Sequence, residues 1–90
     1  MNDLKLKDLR YLVALADTRH FGRAAAQCFV SQPTLSAQIK KLEEYLGIKL
    51  VERQPKRVAL TETGLQIVER ARRILQDSQE IVSLARHGHD

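Results

Sequence analysis

The sequence has no tryptophan, few other aromatic residues, a single cysteine and only short apolar runs. Aromatic residues make up 4% of its 90 positions, and Cys28 is the sole cysteine. One cysteine excludes an internal disulfide and a zinc site built on cysteines. The longest aliphatic run covers residues 12–16, well short of the roughly 20 residues that a membrane-spanning helix needs. The N-terminal residues lack the apolar core of a secretory signal, which predicts a cytoplasmic protein with no membrane partner.

The sequence does have a mild excess of positive charge, concentrated toward its N-terminus. It contains 15 Lys plus Arg against 11 Asp plus Glu, a net charge of +4. Residues 1–60 carry 11 basic and 6 acidic side chains, whereas residues 61–90 carry 4 and 5. A basic surface suits a polyanion such as nucleic acid, and it equally suits a solvated surface that keeps a protein soluble. Charge alone leaves both interpretations open.

Apolar periodicity and capping residues predict three helices in the first half of the chain. Residues 6–18 place apolar side chains at helical spacing, beginning with Leu6. A short Ala-rich helix is expected over residues 23–28, with Gly22 as its N-cap. Ser31 and Pro33 then predict the start of a third helix, which ends at Gly47. The few residues between the second and third helices fit the tight turn of a helix-turn-helix, at about 21–40.

After Gly47 the pattern changes from helical to extended. Two short apolar runs flank a turn at residues 54–57 that holds a proline and two cations, which predicts a two-stranded hairpin at about 49–60. Thr61 is expected to cap a long helix that continues to about Ala85. The predicted fold is mainly α: a winged helix-turn-helix over residues 1–61, with three helices and a short two-stranded β wing, followed by a linker helix over residues 62–90.

The apolar residues of the last helix recur at regular three- and four-residue steps. These residues form an apolar stripe that is too long for so small a domain to cover in full. A second copy of the same helix is the simplest partner that would cover it. The alternative is that the first half of the helix packs on its own domain and the second half frays. The residues expected to carry dimerisation are Ile67, Val68, Ala71, Ile74, Leu75, Ser78, Ile81, Val82 and Ala85.

This order of elements predicts DNA binding, because a recognition helix enters the major groove with its N-terminal residues nearest the bases. Gln can pair with adenine, and Ser or Thr with bases or phosphates. Lys40, Lys41 and the basic wing tip are placed to reach the backbone or the minor groove. Taken singly, each of these side chains could be ordinary solvated surface. The candidate DNA-binding residues are Arg23, Ser31, Gln32, Pro33, Thr34, Ser36, Ala37, Lys40, Arg53, Lys56 and Arg57.

Two other classes of function compete with DNA binding. A helical protein-interaction and dimerisation module with an incidental basic surface remains an alternative. An enzyme is not expected, since the sequence has no Gly-rich phosphate loop and no nucleophile beside a base. Cys28 is expected to face the core as a small apolar residue. His87, His89 and Asp90 are too few and too close to the terminus to predict a metal site, so no metal and no cofactor is predicted.

Four short motifs resemble the DNA-binding domain of the LysR-type transcriptional regulators. They are an Ala-Ala pair at 24–25, S-Q-P-x-x-S at 31–36, I-x-x-L-E-x-x-L-G at 39–47 and L-T-x-x-G at 60–64. Together they extend over most of the chain and are far more specific than any one of them. Residues 11–25, together with Cys28, most resemble the peroxide-sensing OxyR branch of that family.

The resemblance implies a bacterial transcription regulator that binds double-stranded promoter DNA, and it leaves open whether the regulator is an activator or a repressor. It implies a homodimer through the long helix, a tetramer in the full-length protein, RNA polymerase as a further candidate partner, and a C-terminal domain outside this chain that senses an effector or an oxidative signal. It also implies that Gln32, Pro33 and Ser36 approach the bases, and that Arg53 and Lys56 contact the backbone or minor groove. Ala37 departs from the Arg that is common in the family, which puts a contact through this position in doubt, and Val51 replaces a common Phe.

Overall fold

The computed structural model describes residues 2–88, so His89 and Asp90 of the weak metal-ligand group lie outside the described residues. Within them, six elements follow the chain: α1 (Leu6–Thr18), α2 (Phe21–Gln27), α3 (Gln32–Leu46), β1 (Val51–Gln54), β2 (Arg57–Leu60) and α4 (Glu62–His87). The strands form an antiparallel hairpin, the wing. This order confirms the predicted fold, a mainly α winged helix-turn-helix followed by a long helix.

Local capping explains where α3 and α4 begin and where α3 ends. The Ser31 hydroxyl accepts the Thr34 N–H at 3.2 Å, and the Thr61 hydroxyl accepts the Gly64 N–H at 2.9 Å. Each interaction satisfies a backbone donor that the first helical turn leaves free. α3 ends at Gly47, whose φ of 74° is a left-handed conformation that glycine adopts without steric cost. The predictions for these three residues are confirmed.

The start of α2 differs from the prediction. The helix begins at Phe21, and its N-cap is His20, whose Nδ1 accepts the Arg23 N–H at 3.1 Å. Gly22 lies inside the first turn. A glycine offers no side-chain acceptor, whereas the imidazole nitrogen two residues earlier does, and this decides the helix start.

The core lies where α1, α2 and α3 meet the wing. Its largest fully buried side chains are Leu12, Leu15, Leu35, Ile39 and Leu50. Ala24 and Ala25 of α2 are also buried, and their small side chains let α1 and α3 approach this short helix closely. The turn from α2 to α3 passes through Phe29 in a left-handed conformation (φ 58°), and the Val30 N–H donates to the Ala25 carbonyl at 3.0 Å. Leu6, expected on the buried stripe, is 40% exposed because it is the first residue of α1.

The wing is shorter than predicted and is tied to the end of α1. β1 begins at Val51, which pairs with Leu60. The last pair of the hairpin is Gln54 with Arg57, and the turn between them is formed by residues 55–56. Leu50 and Val51 are both buried, although strict alternation would place them on opposite faces, because Leu50 precedes the strand. The Val58 N–H donates to the carbonyl of Arg19 at 3.3 Å, which ties β2 to the end of α1.

The first half of α4 belongs to the core. Val68 and Ala71 are 5% and 1% exposed within the single chain, and Arg72 forms a salt bridge with Asp17 of α1. The hydrogen bond to Asp17 raises the pKa of the Arg72 guanidinium above its ordinary value. The expectation that Val68 and Ala71 face a second copy is therefore wrong, because α1 and the rest of the small core cover this part of the apolar stripe.

Candidate nucleic-acid interface

The N-terminal turn of α3 presents a polar surface. Ser31, Gln32, Pro33 and Thr34 are exposed, and so is Ala37 one turn further on. The Ser31 hydroxyl donates to the Thr34 hydroxyl oxygen at 2.8 Å while it accepts the Thr34 N–H. This leaves the Thr34 hydroxyl proton free to donate elsewhere. The side chain of Gln32 makes no hydrogen bond within residues 2–88, so its amide is available to a partner.

Arg53 of β1 is held in place by contacts with α2 and α3. Its guanidinium donates to the Ser36 hydroxyl at 3.1 Å, and its carbon lies 4.8 Å from the centroid of the Phe21 ring. A cation over an aromatic face at this distance is attracted electrostatically. The arginine is thus pre-organised beside the recognition helix instead of sampling many rotamers. The structure brings Ser36 and Arg53, predicted as separate contacts, into one polar unit.

A cleft of about 270 Å³ separates the wing from the N-termini of α2 and α3. We refer to it as the wing cleft. Four predicted DNA-binding residues line it, namely Gln32, Arg53, Lys56 and Arg57, together with Arg19 and His20. None of the described residues that line this cleft is acidic. Four cations around one concave surface favour an anionic ligand.

Lys40 lies on the other side of Arg53, in a second concavity of about 330 Å³. Lys49, Val51 and two carboxylates, Glu43 and Glu52, also line it, so the charge there is mixed. Lys41 is separated from Lys40 and lies near Asp3 and Asp8. Consecutive residues of a helix point in different directions, and only Lys40 shares a surface with Arg53. The expected common role of the two lysines in phosphate binding is therefore not supported for Lys41.

Four further predicted residues do not line the wing cleft. Arg23, Pro33, Thr34 and Ala37 are exposed, and Arg23 contributes its backbone N–H to the His20 cap. Ala37 offers only a methyl group at a position where the resemblance implied an arginine. No hydrogen bond of its side chain to DNA is chemically possible.

Sequence reasoning missed several residues that shape this surface. Glu43 is 9% exposed, and its carboxylate accepts the N–H groups of Leu50 at 2.8 Å and Val51 at 3.2 Å. Phe21 supports Arg53, while Arg19 and His20 line the wing cleft. The burial of Glu43 could have been predicted from its position, because this acidic residue directly follows Leu42 and lies on the apolar side of an amphipathic helix. For Phe21 and Arg19, nothing in the local pattern indicated a contact with the wing. For His20, the position at a helix junction left open both a local contact and a place near a phosphate.

Cys28 lies away from this surface and packs against the core. It is half-buried, and its sulfur lies 4.0 Å from the carbonyl oxygen of Arg10. Burial raises the pKa of the thiol, an effect that the positive charge of Arg10 partly opposes. A raised pKa lowers the fraction of reactive thiolate. The environment thus fits the expected structural role.

The arrangement of a recognition helix, a short supporting helix and a basic hairpin defines a winged helix-turn-helix protein. The family described as bacterial regulatory helix-turn-helix protein, lysR family, matches residues 6–65. The chain belongs to this family, and its fold is that of the family's DNA-binding domain. Family members are regulators and not enzymes. Among residues 2–88, no helix is both long enough and apolar enough to span a bilayer.

Individual relatives confirm the similarity to the peroxide-sensing branch. The hydrogen peroxide-inducible genes activator of Pectobacterium carotovorum is 51% identical over 82 residues, which cover 91% of this chain and 27% of that protein. The solved structure of full-length OxyR C199D from Pseudomonas aeruginosa superposes with a TM-score of 0.91 at 48% identity, covering 97% of this chain and 30% of that one. The chain thus spans little more than a quarter of the length of its curated relatives.

A solved complex links the same fold to DNA. The DNA-binding domain of BenM bound to benA site 1 DNA superposes with a TM-score of 0.91 at 36% identity, and the match covers 97% of this chain and 98% of that one. The similarity therefore extends over essentially the whole of a domain that was crystallised on a duplex.

Proposed function

We propose that this chain is the sequence-specific, double-stranded DNA-binding part of a transcriptional activator. Residues 1–61 are assigned to the winged helix-turn-helix unit, and residues 62–90 to the linker and dimerisation segment, to which α4 belongs. The observation that carries the proposal is the wing cleft, where Gln32 at the start of α3 faces the cations of the wing. In this arrangement α3 enters the major groove while Arg53, Lys56 and Arg57 contact the backbone or the minor groove beside it.

The roles of the side chains follow from their chemistry. Gln32 reads a base edge, and the free proton of the Thr34 hydroxyl reaches a base or a phosphate. Pro33 sits in the first turn, where its missing N–H costs nothing. Arg53, held by Ser36 and Phe21, contributes a fixed cation. Arg23 of α2 and Lys40 of α3 are exposed cations that contact phosphates.

The chain acts as a homodimer through the distal half of α4. Of the residues predicted to carry dimerisation, the monomer leaves four exposed: Ile74, Ile81, Val82 and Ala85. Leu75 and Ser78 are half-buried, and Ile67 packs partly on the core. Leu84, which was not predicted, is 69% exposed. An apolar surface of this length on one helix favours a helical partner.

The remaining proposals concern the whole protein. It acts in the cytoplasm as a dimer or tetramer, with RNA polymerase as a partner at the promoter. A domain outside this chain senses an oxidative signal, which is supported by the relatives named hydrogen peroxide-inducible genes activator.

Base reading and backbone contact are separable by two substitutions. The test uses two duplexes, one selected from a random pool by the wild-type chain and one with the same sequence scrambled. Gln32→Ala should lose about 1–3 kcal/mol of binding free energy on the selected duplex and little on the scrambled duplex. Lys56→Ala should weaken binding to both duplexes alike and should lower the slope of log K against log salt by about 0.9. Fluorescence anisotropy titrations over a range of salt concentrations measure both effects. Equal losses on the two duplexes for Gln32→Ala would contradict base reading by this residue.

A further inference from the structure

Two contacts hold the imidazole ring of His20. Its Nδ1 accepts the Arg23 N–H at 3.1 Å, and its ring lies over Gly22, since a Cβ built there would come within 3.0 Å of the ring carbon Cε1. The edge of the ring formed by Nδ1 and Cε1 therefore faces α2. Cap and packing together fix the orientation of an otherwise exposed imidazole.

The cap also fixes which ring nitrogen carries the proton. Because Nδ1 uses its lone pair to accept an N–H, the proton of the neutral ring is on Nε2. Nε2 lies across the ring from the Arg23 N–H and donates no hydrogen bond to any residue between 2 and 88. His20 thus presents an oriented and unused donor.

This donor stands at a surface built for an anion. His20 lines the wing cleft together with Arg19, Arg53, Lys56 and Arg57. The same virtual Cβ on Gly22 lies 3.4 Å from Oε1 of Gln32, so the imidazole is also a neighbour of the proposed base-reading side chain. A phosphodiester in the cleft would place its oxygens among four cations and one neutral N–H donor.

We infer that His20 is a DNA-binding residue, whose Nε2–H donates to a backbone phosphate seated in the wing cleft. The inference rests on the proposed function, since it requires a duplex in contact with the cleft. The contact is independent of sequence, because phosphates carry no base identity. It also releases no counterion as long as Nδ1 accepts the Arg23 N–H, because a ring that accepts at Nδ1 has only one N–H and no net charge. His20 should therefore contribute affinity without contributing to the salt dependence, unlike Lys56.

Two substitutions separate the donor from the cap. His20→Asn keeps an acceptor at the position of Nδ1, and asparagine is among the best N-cap residues. Its remaining donor, the amide Nδ2, stands where Cδ2 of the imidazole was and does not reach the position of Nε2. His20→Gln keeps a donor at the distance of Nε2 and loses the short acceptor that caps α2. Both variants leave the cations of the wing cleft in place.

The measurements are duplex binding by anisotropy, on the selected and the scrambled duplex over a range of salt, and the thermal unfolding midpoint by circular dichroism. We expect His20→Asn to bind both duplexes about tenfold more weakly, with the wild-type salt slope and an unchanged midpoint. His20→Gln should bind with nearly wild-type affinity and unfold at a lower temperature.

Other outcomes overturn the inference in distinguishable ways. If wild-type chain binds and His20→Asn binds equally well, the phosphate contact is absent while the proposed function stands. If the affinities of both variants fall in proportion to their unfolding midpoints, His20 acts only as a cap. If the salt slope falls for His20→Asn as it does for Lys56→Ala, the ring is not the neutral donor described here. A wild-type chain that binds no duplex overturns both the proposed function and this inference.

Discussion

At the scale of single residues, one carboxylate sets the position of the wing. Glu43 projects from α3 and accepts the N–H groups of Leu50 and Val51, the residues at which the chain enters β1. Both residues are buried, so loss of the Glu43 carboxylate would leave two buried N–H groups without this acceptor. The same strand carries Arg53 toward α3. A buried side chain on the recognition helix thus determines where the wing cations stand.

Glu43→Ala should therefore lower the free energy of unfolding by about 2–4 kcal/mol, because each buried N–H left without an acceptor costs about 1–3 kcal/mol. Urea denaturation followed by circular dichroism measures the change. Glu43→Gln retains an acceptor oxygen and should lose less. Glu44→Ala, at an exposed neighbour, should stay within about 0.5 kcal/mol of the wild-type chain. A stability of Glu43→Ala equal to that of Glu44→Ala would show that the two N–H groups find other partners.

At the scale of elements, the approach of α4 to β1 depends on the absence of a side chain. A Cβ on Gly64 would overlap the carbonyl oxygen of Leu50, which is backbone and cannot rotate away. The Thr61 hydroxyl reinforces the same junction, since it donates to the carbonyl of Lys49 at 2.8 Å while it caps α4. The final glycine of the L-T-x-x-G motif is therefore required by close packing and not by its backbone angles.

Gly64→Ala tests this packing. Alanine is the better helix former by about 1 kcal/mol, yet we expect a net destabilisation of about 1–3 kcal/mol, because the added methyl must displace the backbone of β1 or α4. Gln66→Ala, at an exposed position of the same helix, serves as the matched control and should have little effect. A gain in the thermal midpoint of Gly64→Ala would mean that the junction has room for a side chain.

Elements were more predictable from sequence than the contacts between them. The bounds of α1, and the caps at Ser31, Gly47 and Thr61, depend on local backbone chemistry that a short stretch of sequence contains. The burial of Val68 and Ala71 depends on where α4 crosses α1, which the helical repeat alone does not determine. The candidate site divides in the same way: the polar face of α3 followed from local sequence, whereas the support of Arg53 by Phe21 and Ser36 required the tertiary structure.

At the scale of the whole molecule, α4 makes the chain elongated and leaves part of its apolar surface uncovered. The overall extents are 53 × 29 × 19 Å, and the 26 residues of α4 span about 39 Å at 1.5 Å per residue. Ile74 and Ile81 lie seven residues apart on one face and are 42% and 66% exposed. None of the distal residues of α4 lines the wing cleft. Assembly and DNA contact are thus assigned to separate surfaces, so each can be altered without the other.

Ile81→Glu should disrupt the dimer while leaving the fold and the wing cleft unchanged. A carboxylate in an apolar helix pair must either lose its hydration or separate the helices. Analytical ultracentrifugation should show monomers at concentrations where the wild-type chain is dimeric. The monomer should lose about 10²-fold or more in affinity for a duplex with two half-sites, because the second half-site is no longer engaged within one complex. Its affinity for a single half-site should be unchanged.

Ser83→Glu is the matched control for this variant. It adds the same charge two residues further along, and because successive helical residues are turned by about 100°, its side chain points away from the face that carries Ile74 and Ile81. It should remain dimeric and bind both duplexes as the wild-type chain does. If Ile81→Glu stays dimeric as well, the partner helix does not cover this face, and the exposed residues Leu65 and Leu84 become the next candidates for the contact. If both variants lose two-site affinity while remaining dimeric, the loss reflects repulsion between the added charge and DNA, and the assignment of separate surfaces fails.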